Sequence, residues 1–160
     1  MRARDIKIQD VMTMNPDWCL PESSTMEAGR IMKEADVGIV PVVDSESGRK
    51  VVGVVTDRDL CLAVVATGKQ PDSVRVREAM TSQVVACHPD DDIRNAIHLM
   101  QGNQVRRIPV VDREGMLQGM ISTADIVQQA ELSPNVTHET MKEVTKPTDE
   151  ETRFRMKRAA

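Results

Sequence analysis

Apolar residues recur at helical spacing in two places, as Ala28, Ile31, Met32 and Ala35 and again as Ile93, Ala96, Ile97 and Met100. An i, i+3, i+4, i+7 pattern puts each set on one face of a helix. Ser24-x-x-Glu27 forms a capping box ahead of the first helix, and Asp91 or Asp92 can cap the second. Gly38 and Gly102 stand at or soon after the helix ends. The runs 39–43 and 108–111 are short, β-branched and almost wholly apolar, the pattern of buried strands. Turn residues follow them, Ser45 to Gly48 and Arg113-Glu114-Gly115, and then a second apolar run over 51–55 or 116–121, so each predicts a hairpin. A short strand is expected ahead of each helix, at Trp18 to Leu20 and at Val84 to Cys87. A closing helix is expected after each hairpin, from Asp57 to about Thr67 and from Thr123 to about Ala130.

The two halves of this pattern are copies. Residues 12–44 align on 80–112 without a gap: Met12-Thr13 falls on Met80-Thr81, Cys19 on Cys87, Pro21 on Pro89, and Pro41-Val42-Val43-Asp44 on Pro109-Val110-Val111-Asp112. The first copy then carries two extra turn residues, after which Gly53 meets Gly119, Thr56 meets Ser122 and Asp59 meets Asp125. Strand-helix-strand-strand-helix, twice over, gives an α/β (α+β) fold. One copy cannot cover both faces of its sheet, so the copies must pack on each other through their sheets as a pseudo-twofold pair. The boundaries read as 6–67 for the first repeat, 68–73 for a linker, 74–130 for the second repeat and 131–160 for a polar tail. Thr148-x-x-Glu151 in that tail can cap one more helix.

Composition narrows the function. The 160 residues suffice for one domain with a real interior but not for a multidomain enzyme. A net charge of −4 removes any general attraction to nucleic acid or anionic lipid, so an anion must be held by local positive groups. Trp18 and Phe154 are the whole aromatic complement, which excludes base-stacking platforms and leaves the 11 Met as core filler. Cys19, Cys61 and Cys87 are odd in number and far apart, and no signal segment or stretch of roughly 20 apolar residues is present. That reads as a reduced, cytoplasmic protein.

The repeated pattern resembles the CBS domain, the unit named after cystathionine beta-synthase and found in tandem pairs. The residues carrying the resemblance are Asp10-Val11-Met12-Thr13, Gly38 to Asp44 and Gly53 to Leu60 in the first copy. In the second they are Glu78-Ala79-Met80-Thr81, Arg106 to Asp112 and Gly119 to Ile126. Such a resemblance implies a stand-alone regulatory module that binds an adenosine-containing ligand between the copies, assembles as a disc-shaped homodimer, and has neither catalysis nor a catalytic cofactor of its own.

Thr56-x-x-Asp59 and Ser122-x-x-Asp125 sit where a strand hands over to a helix. An ionised Asp there can accept both hydroxyls of a ribose, and the neighbouring hydroxyl and first-turn N–H groups can meet phosphate. The same residues are equally a plain helix cap. Arg106 and Arg107 precede the second buried strand where the first copy has Gly38 and Ile39. The resemblance implies that a basic residue here meets ligand phosphate, which gives the second copy the larger phosphate role. A solvated arginine is the other reading, and Arg58 is a further phosphate candidate. A slot for the base is expected from Trp18, Cys19, Ile39, Val40, Ala86, Cys87, Arg107 and Ile108. Trp18 can wall that slot, fill it or sit at a dimer surface. Cys87-His88 beside Asp90-Asp91-Asp92 superficially suggests a metal or thiol centre. Alternation on a half-buried strand explains the cysteines, and a helix N-terminus explains the acids.

The leading function is therefore a sensor of AMP, ADP, ATP or a related adenosyl ligand, acting as a homodimer and on an effector protein the sequence does not identify. The alternative is a dimeric interaction module with vestigial sites. A small thiol or metal enzyme is a weaker rival, and nucleic-acid binding through the basic tail is weaker still.

Overall fold

The computed structural model describes residues 6–129, so the expected tail helix lies outside the described residues. A 3-10 turn at Ile8–Asp10 and strand β1 (Thr13–Met14) precede α1 (Thr25–Ala35), the hairpin β2 (Ile39–Val43) and β3 (Val51–Thr56), and α2 (Asp57–Leu60). A second round follows as α3 (Val76–Ala79), α4 (Ile93–Asn103), β4 (Arg107–Val111), β5 (Leu117–Ser122) and α5 (Thr123–Gln129).

The expected helices and hairpins form for the expected reasons. Ser24 Oγ accepts the Glu27 N–H at 3.2 Å to start α1, and Asp92 accepts the Arg94 N–H at 2.9 Å to start α4. Ile93, Ala96, Ile97 and Met100 are all buried, as are Ala28 and Met32, whereas Ala35 at the end of α1 is exposed. Neither helix stops on glycine. Asp36 and Gln104 take the left-handed conformation, at φ 53° and 54°, and the Val37 and Val105 N–H groups fold back on the Met32 and Met100 carbonyls, each at 3.0 Å. That is a Schellman-type ending, in which the apolar residue after the turn seals the helix end.

The strand expected before each helix shrinks to one bridge, Cys19 to Val42 and Cys87 to Val110, both parallel. Prolines account for it. The Cys19 N–H reaches the Pro41 carbonyl at 3.1 Å, and the Val43 N–H reaches the Cys19 carbonyl at 2.9 Å. The next rung in one direction needs an N–H on Pro21, and in the other an N–H on Pro41, and neither exists. Pro89 and Pro109 impose the same limits on Cys87.

The closing helix of the first repeat also differs from expectation. After α2 the winding widens to π-type over Cys61–Val65, where the Ala66 N–H reaches the Cys61 carbonyl at 3.1 Å. Leu62 and Val65 on this segment are exposed, at 54% and 75%.

The two packed bodies do not follow chain order. The leading segment of each repeat crosses to the other one. Ile6 and Ile8 belong to the core of the second repeat with Cys87, Ile97, Met100, Ile108 and Ile121, while Val76 belongs to the core of the first with Ala28, Val40 and Val55. β1 pairs antiparallel with β5, giving the sheet order β1-β5-β4 beside the β2-β3 hairpin. Thr81 makes the equivalent bridge to Val54, with both N–H···O bonds formed at 2.9 and 3.0 Å. Gly53 and Gly119 make room for these crossings. A Cβ on Gly119 would stand 2.8 Å from the Thr13 carbonyl oxygen, and one on Gly53 would stand 3.0 Å from that of Thr81. The hairpin tips tie the two sheets together through a Lys50–Met116 bridge.

Candidate functional site

Crossing the segments leaves a cleft on each side of the pseudo-twofold axis, and each has a strand–helix junction at its wall. At the first junction Thr56 Oγ1 donates to Asp59 Oδ2 at 2.7 Å, the Thr56 N–H donates to the same oxygen at 2.9 Å, and the Asp59 N–H donates to Thr56 Oγ1 at 3.2 Å. Ser122 and Asp125 repeat the arrangement at 2.6, 2.7 and 3.2 Å in the same order. Both carboxylates therefore do cap their helices. Each does so with Oδ2 alone, and Oδ1 makes no hydrogen bond among the described residues. A carboxylate oxygen with no partner accepts two donors. Capping and ligand binding are thus compatible in a single side chain.

The Asp59 cleft has a volume of about 590 Å³. Gly38, Ile39, Val54, Thr56, Asp57 and Asp59 line it from the first repeat, and Val105 to Pro109, with Thr81, Gln83, Val84 and Val85, line it from the rest of the chain. The Asp125 cleft is smaller, about 340 Å³, and is bordered by Thr13, Asn15, Pro16 and Asp17 together with Val37, Ile39, Pro41, Arg107, Ser122 and Asp125. Arg106 borders only the Asp59 cleft, whereas Arg107 borders both. Arg106 precedes β4, so strand alternation does not divide the pair and both arginines border the Asp59 cleft. Neither guanidinium forms a hydrogen bond or an ion pair among the described residues, where the ion pairs are Arg77–Glu22, Arg94–Asp92 and Arg113–Asp90.

Of the residues expected at a site, the structure brings Thr56, Asp59, Arg106, Arg107, Ile39 and Ile108 together in one cleft, and Ser122, Asp125, Arg107 and Ile39 in the other. The arginines of the second repeat thus border the same cleft as the carboxylate of the first, a grouping that chain order conceals. Cys19, Val40 and Cys87 are packed in the two cores, 1–2% exposed, and border neither cleft. Trp18, Ala86 and Arg58 border neither cleft, so the indole fills neither. The walls expected from Trp18, Cys19, Ala86 and Cys87 are supplied instead by the loops just upstream, 13–17 and 81–85. Once the cysteine is pinned inward by its bridge, the chain ahead of it forms the rim. One signal for these loops was already in the repeat itself, since Thr13 and Thr81 occupy equivalent positions.

Burial pushes the Cys19 and Cys87 thiols up to about 12, with Glu27 and Asp91 adding to the effect, so neither thiol ionises near neutral pH. His88 Nδ1 lies 2.9 Å from the Val111 carbonyl oxygen. Among the described residues no three His, Cys, Asp or Glu side chains converge as metal ligands, and no helix is long and apolar enough to cross a membrane.

Two βαββα repeats interlocked about a pseudo-twofold axis, with a cleft at each strand–helix junction, make this a paired-repeat domain. The chain belongs to the CBS domain family, whose model matches residues 8–66 and 76–131. It is 41% identical over 120 residues to the uncharacterized protein YlbB of Bacillus subtilis (strain 168), a match covering 75% of this chain and 79% of that one. Among solved structures it resembles the CBS domain pair of protein MJ0100 in complex with 5′-methylthioadenosine and S-adenosyl-L-methionine. The TM-score is 0.69 at 26% identity, over 79% of this chain and 96% of that one. It also resembles CBSX2 in complex with AMP, with a TM-score of 0.70 at 25% identity, over 79% of this chain and 97% of that one.

Proposed function

We propose that this protein is a regulatory module, not an enzyme, that holds an adenine nucleotide or a related adenosyl ligand in the Asp59 cleft. One observation carries the reading: a carboxylate oxygen and two guanidinium groups, none with a partner among the described residues, border the same cleft together with an apolar wall. Asp59 Oδ1 accepts the ribose hydroxyls, Arg106 and Arg107 hold phosphate, and Ile39, Val84, Val85 and Ile108 flank the base. The adenosyl ligands held by MJ0100 and CBSX2 support the ligand class. Because both repeats wall the cleft, a ligand that binds one relative arrangement better shifts the pair toward it, and that shift is the signal to an effector protein.

Leu62 and Val65, exposed on the closing helix of the first repeat, support a homodimer formed through the closing helices. Thermal shift with AMP, ADP, ATP, adenosine and S-adenosylmethionine tests the ligand reading. A melting point raised by at least one of them supports it, and a flat response to all of them favours an interaction module with vestigial sites. Light scattering at micromolar concentration tests the dimer, and a monomer mass overturns it.

A further inference from the structure

The inequality of the two clefts in positive charge has a consequence for how they are filled. Among the described residues Arg107 is the single cationic residue bordering the Asp125 cleft, where it stands with Asp17 and Asp125, and the same residue borders the Asp59 cleft beside Arg106, Asp57 and Asp59. Its equivalent in the first repeat, Ile39, also borders both clefts and carries no charge, so the pseudo-twofold position between the clefts holds one guanidinium where symmetry allows two. Among the described residues no carboxylate pairs with Arg107, which leaves the guanidinium available to an anion.

We propose that Arg107 makes the two clefts compete for phosphate: a phosphorylated ligand in the Asp59 cleft weakens a second phosphorylated ligand in the Asp125 cleft. An uncharged nucleoside in the Asp125 cleft is unaffected. The proposal rests on the reading of the clefts as adenosyl sites. A guanidinium whose fork of donors is turned to a phosphate on one side offers a second phosphate on the other fewer donors and a charge already partly neutralised, and among the described residues the Asp125 cleft then has Asp17 and Asp125 with no other cation. Repulsion between the phosphate and those carboxylates adds to the lost contact. An adenosine molecule presents no phosphate and needs only the Asp125 carboxylate. By reciprocity, a phosphorylated ligand in the Asp125 cleft weakens the Asp59 cleft by the same factor.

Calorimetric titration of the full chain with AMP and, separately, with adenosine tests this. In the wild type the second AMP is expected to bind at least fivefold more weakly than AMP binds the Asp125 cleft of Asp59→Asn, whose weakened first cleft no longer fills ahead of it. For adenosine the same comparison is expected to differ by less than twofold. In Arg107→Ile, which copies Ile39, and in Arg107→Gln, the AMP penalty should fall below twofold, with both variants checked for an unchanged melting point. A second AMP that binds the wild type as well as it binds Asp59→Asn overturns the competition, as does a penalty that survives in whichever arginine variant folds. If neither AMP nor adenosine binds the wild type, the reading of the clefts as adenosyl sites fails and the competition fails with it.

Discussion

The two clefts come from the same repeated sequence and have the same junction chemistry, yet they are not equivalent. The Asp59 cleft is larger, about 590 against 340 Å³; among the described residues two carboxylates border each cleft, with both arginines at the Asp59 cleft and Arg107 alone at the Asp125 cleft. The inequality arises because each cleft joins a strand–helix junction of one repeat to the strand entrance of the other. Substituting Gly38-Ile39 by Arg106-Arg107 therefore arms the cleft of the opposite repeat's carboxylate. In an interlocked pair, a residue's functional partners are found across the axis and not along the chain.

The largest effect that bears on this asymmetry is expected at Arg106. Charge reversal to Glu should weaken ATP or ADP by about tenfold to a hundredfold, in keeping with about 1.5–3 kcal/mol for a hydrogen bond to a charged group, while adenosine changes little. Equal losses for nucleotide and nucleoside, measured by calorimetry, would mean that the change acts through folding. The glycine crossings come next. Gly119→Ala and Gly53→Ala should each cost about 1–3 kcal/mol in denaturant unfolding, as overpacking does. Gly119→Ala should cost more, because its carbonyl contact is the closer one, 2.8 against 3.0 Å.

The cysteines separate core from surface. Native protein at pH 8 should react with a thiol reagent at the exposed Cys61 and be protected at the buried Cys19 and Cys87. Their raised folded pKa means that the folded state keeps protons the unfolded chain releases near 9. This contribution to stability is full below pH 9 and is lost as pH rises toward 12. Mass mapping and alkaline denaturation check the two statements. The smallest effect is at the hairpin tips, where Arg49 holds φ 55° at the position that Gly115 occupies in the other repeat with φ 85°. Arg49→Gly should relieve that strain and raise stability by about 1 kcal/mol or less.

Much of the fold was legible because the pattern occurs twice. Two copies of the helix face, the hairpin and the Thr/Ser-x-x-Asp junction each confirmed the other. The prolines were visible as well, but their power to cut the first strand to one rung appears only when Cys19 and Pro41 are set in a parallel ladder. The crossing of Ile6 to Met14 and of Val74 to Thr81 to the opposite repeats was hidden, since periodicity reports which residues are buried and not in whose core. That crossing also decided the site. Thr56, Asp59, Ser122 and Asp125 were identifiable as residue types at a strand–helix junction, and the two arginines as a basic pair at a strand entrance. Which carboxylate meets which arginine depends on long-range packing, and so does the use of loops 13–17 and 81–85 as rims in place of the cysteine segments.

The central claim is that the Asp59 carboxylate, in the cleft that Arg106 and Arg107 also border, anchors the principal adenosyl site. Calorimetric titration of AMP into Asp59→Asn and Asp125→Asn tests it most directly, because asparagine keeps the helix cap and removes the charged acceptor. Asp59→Asn is expected to lose about tenfold to a hundredfold in the tighter AMP affinity with little change in melting point, while Asp125→Asn retains it. Loss of the tighter site in Asp125→Asn with wild-type binding in Asp59→Asn would contradict the account.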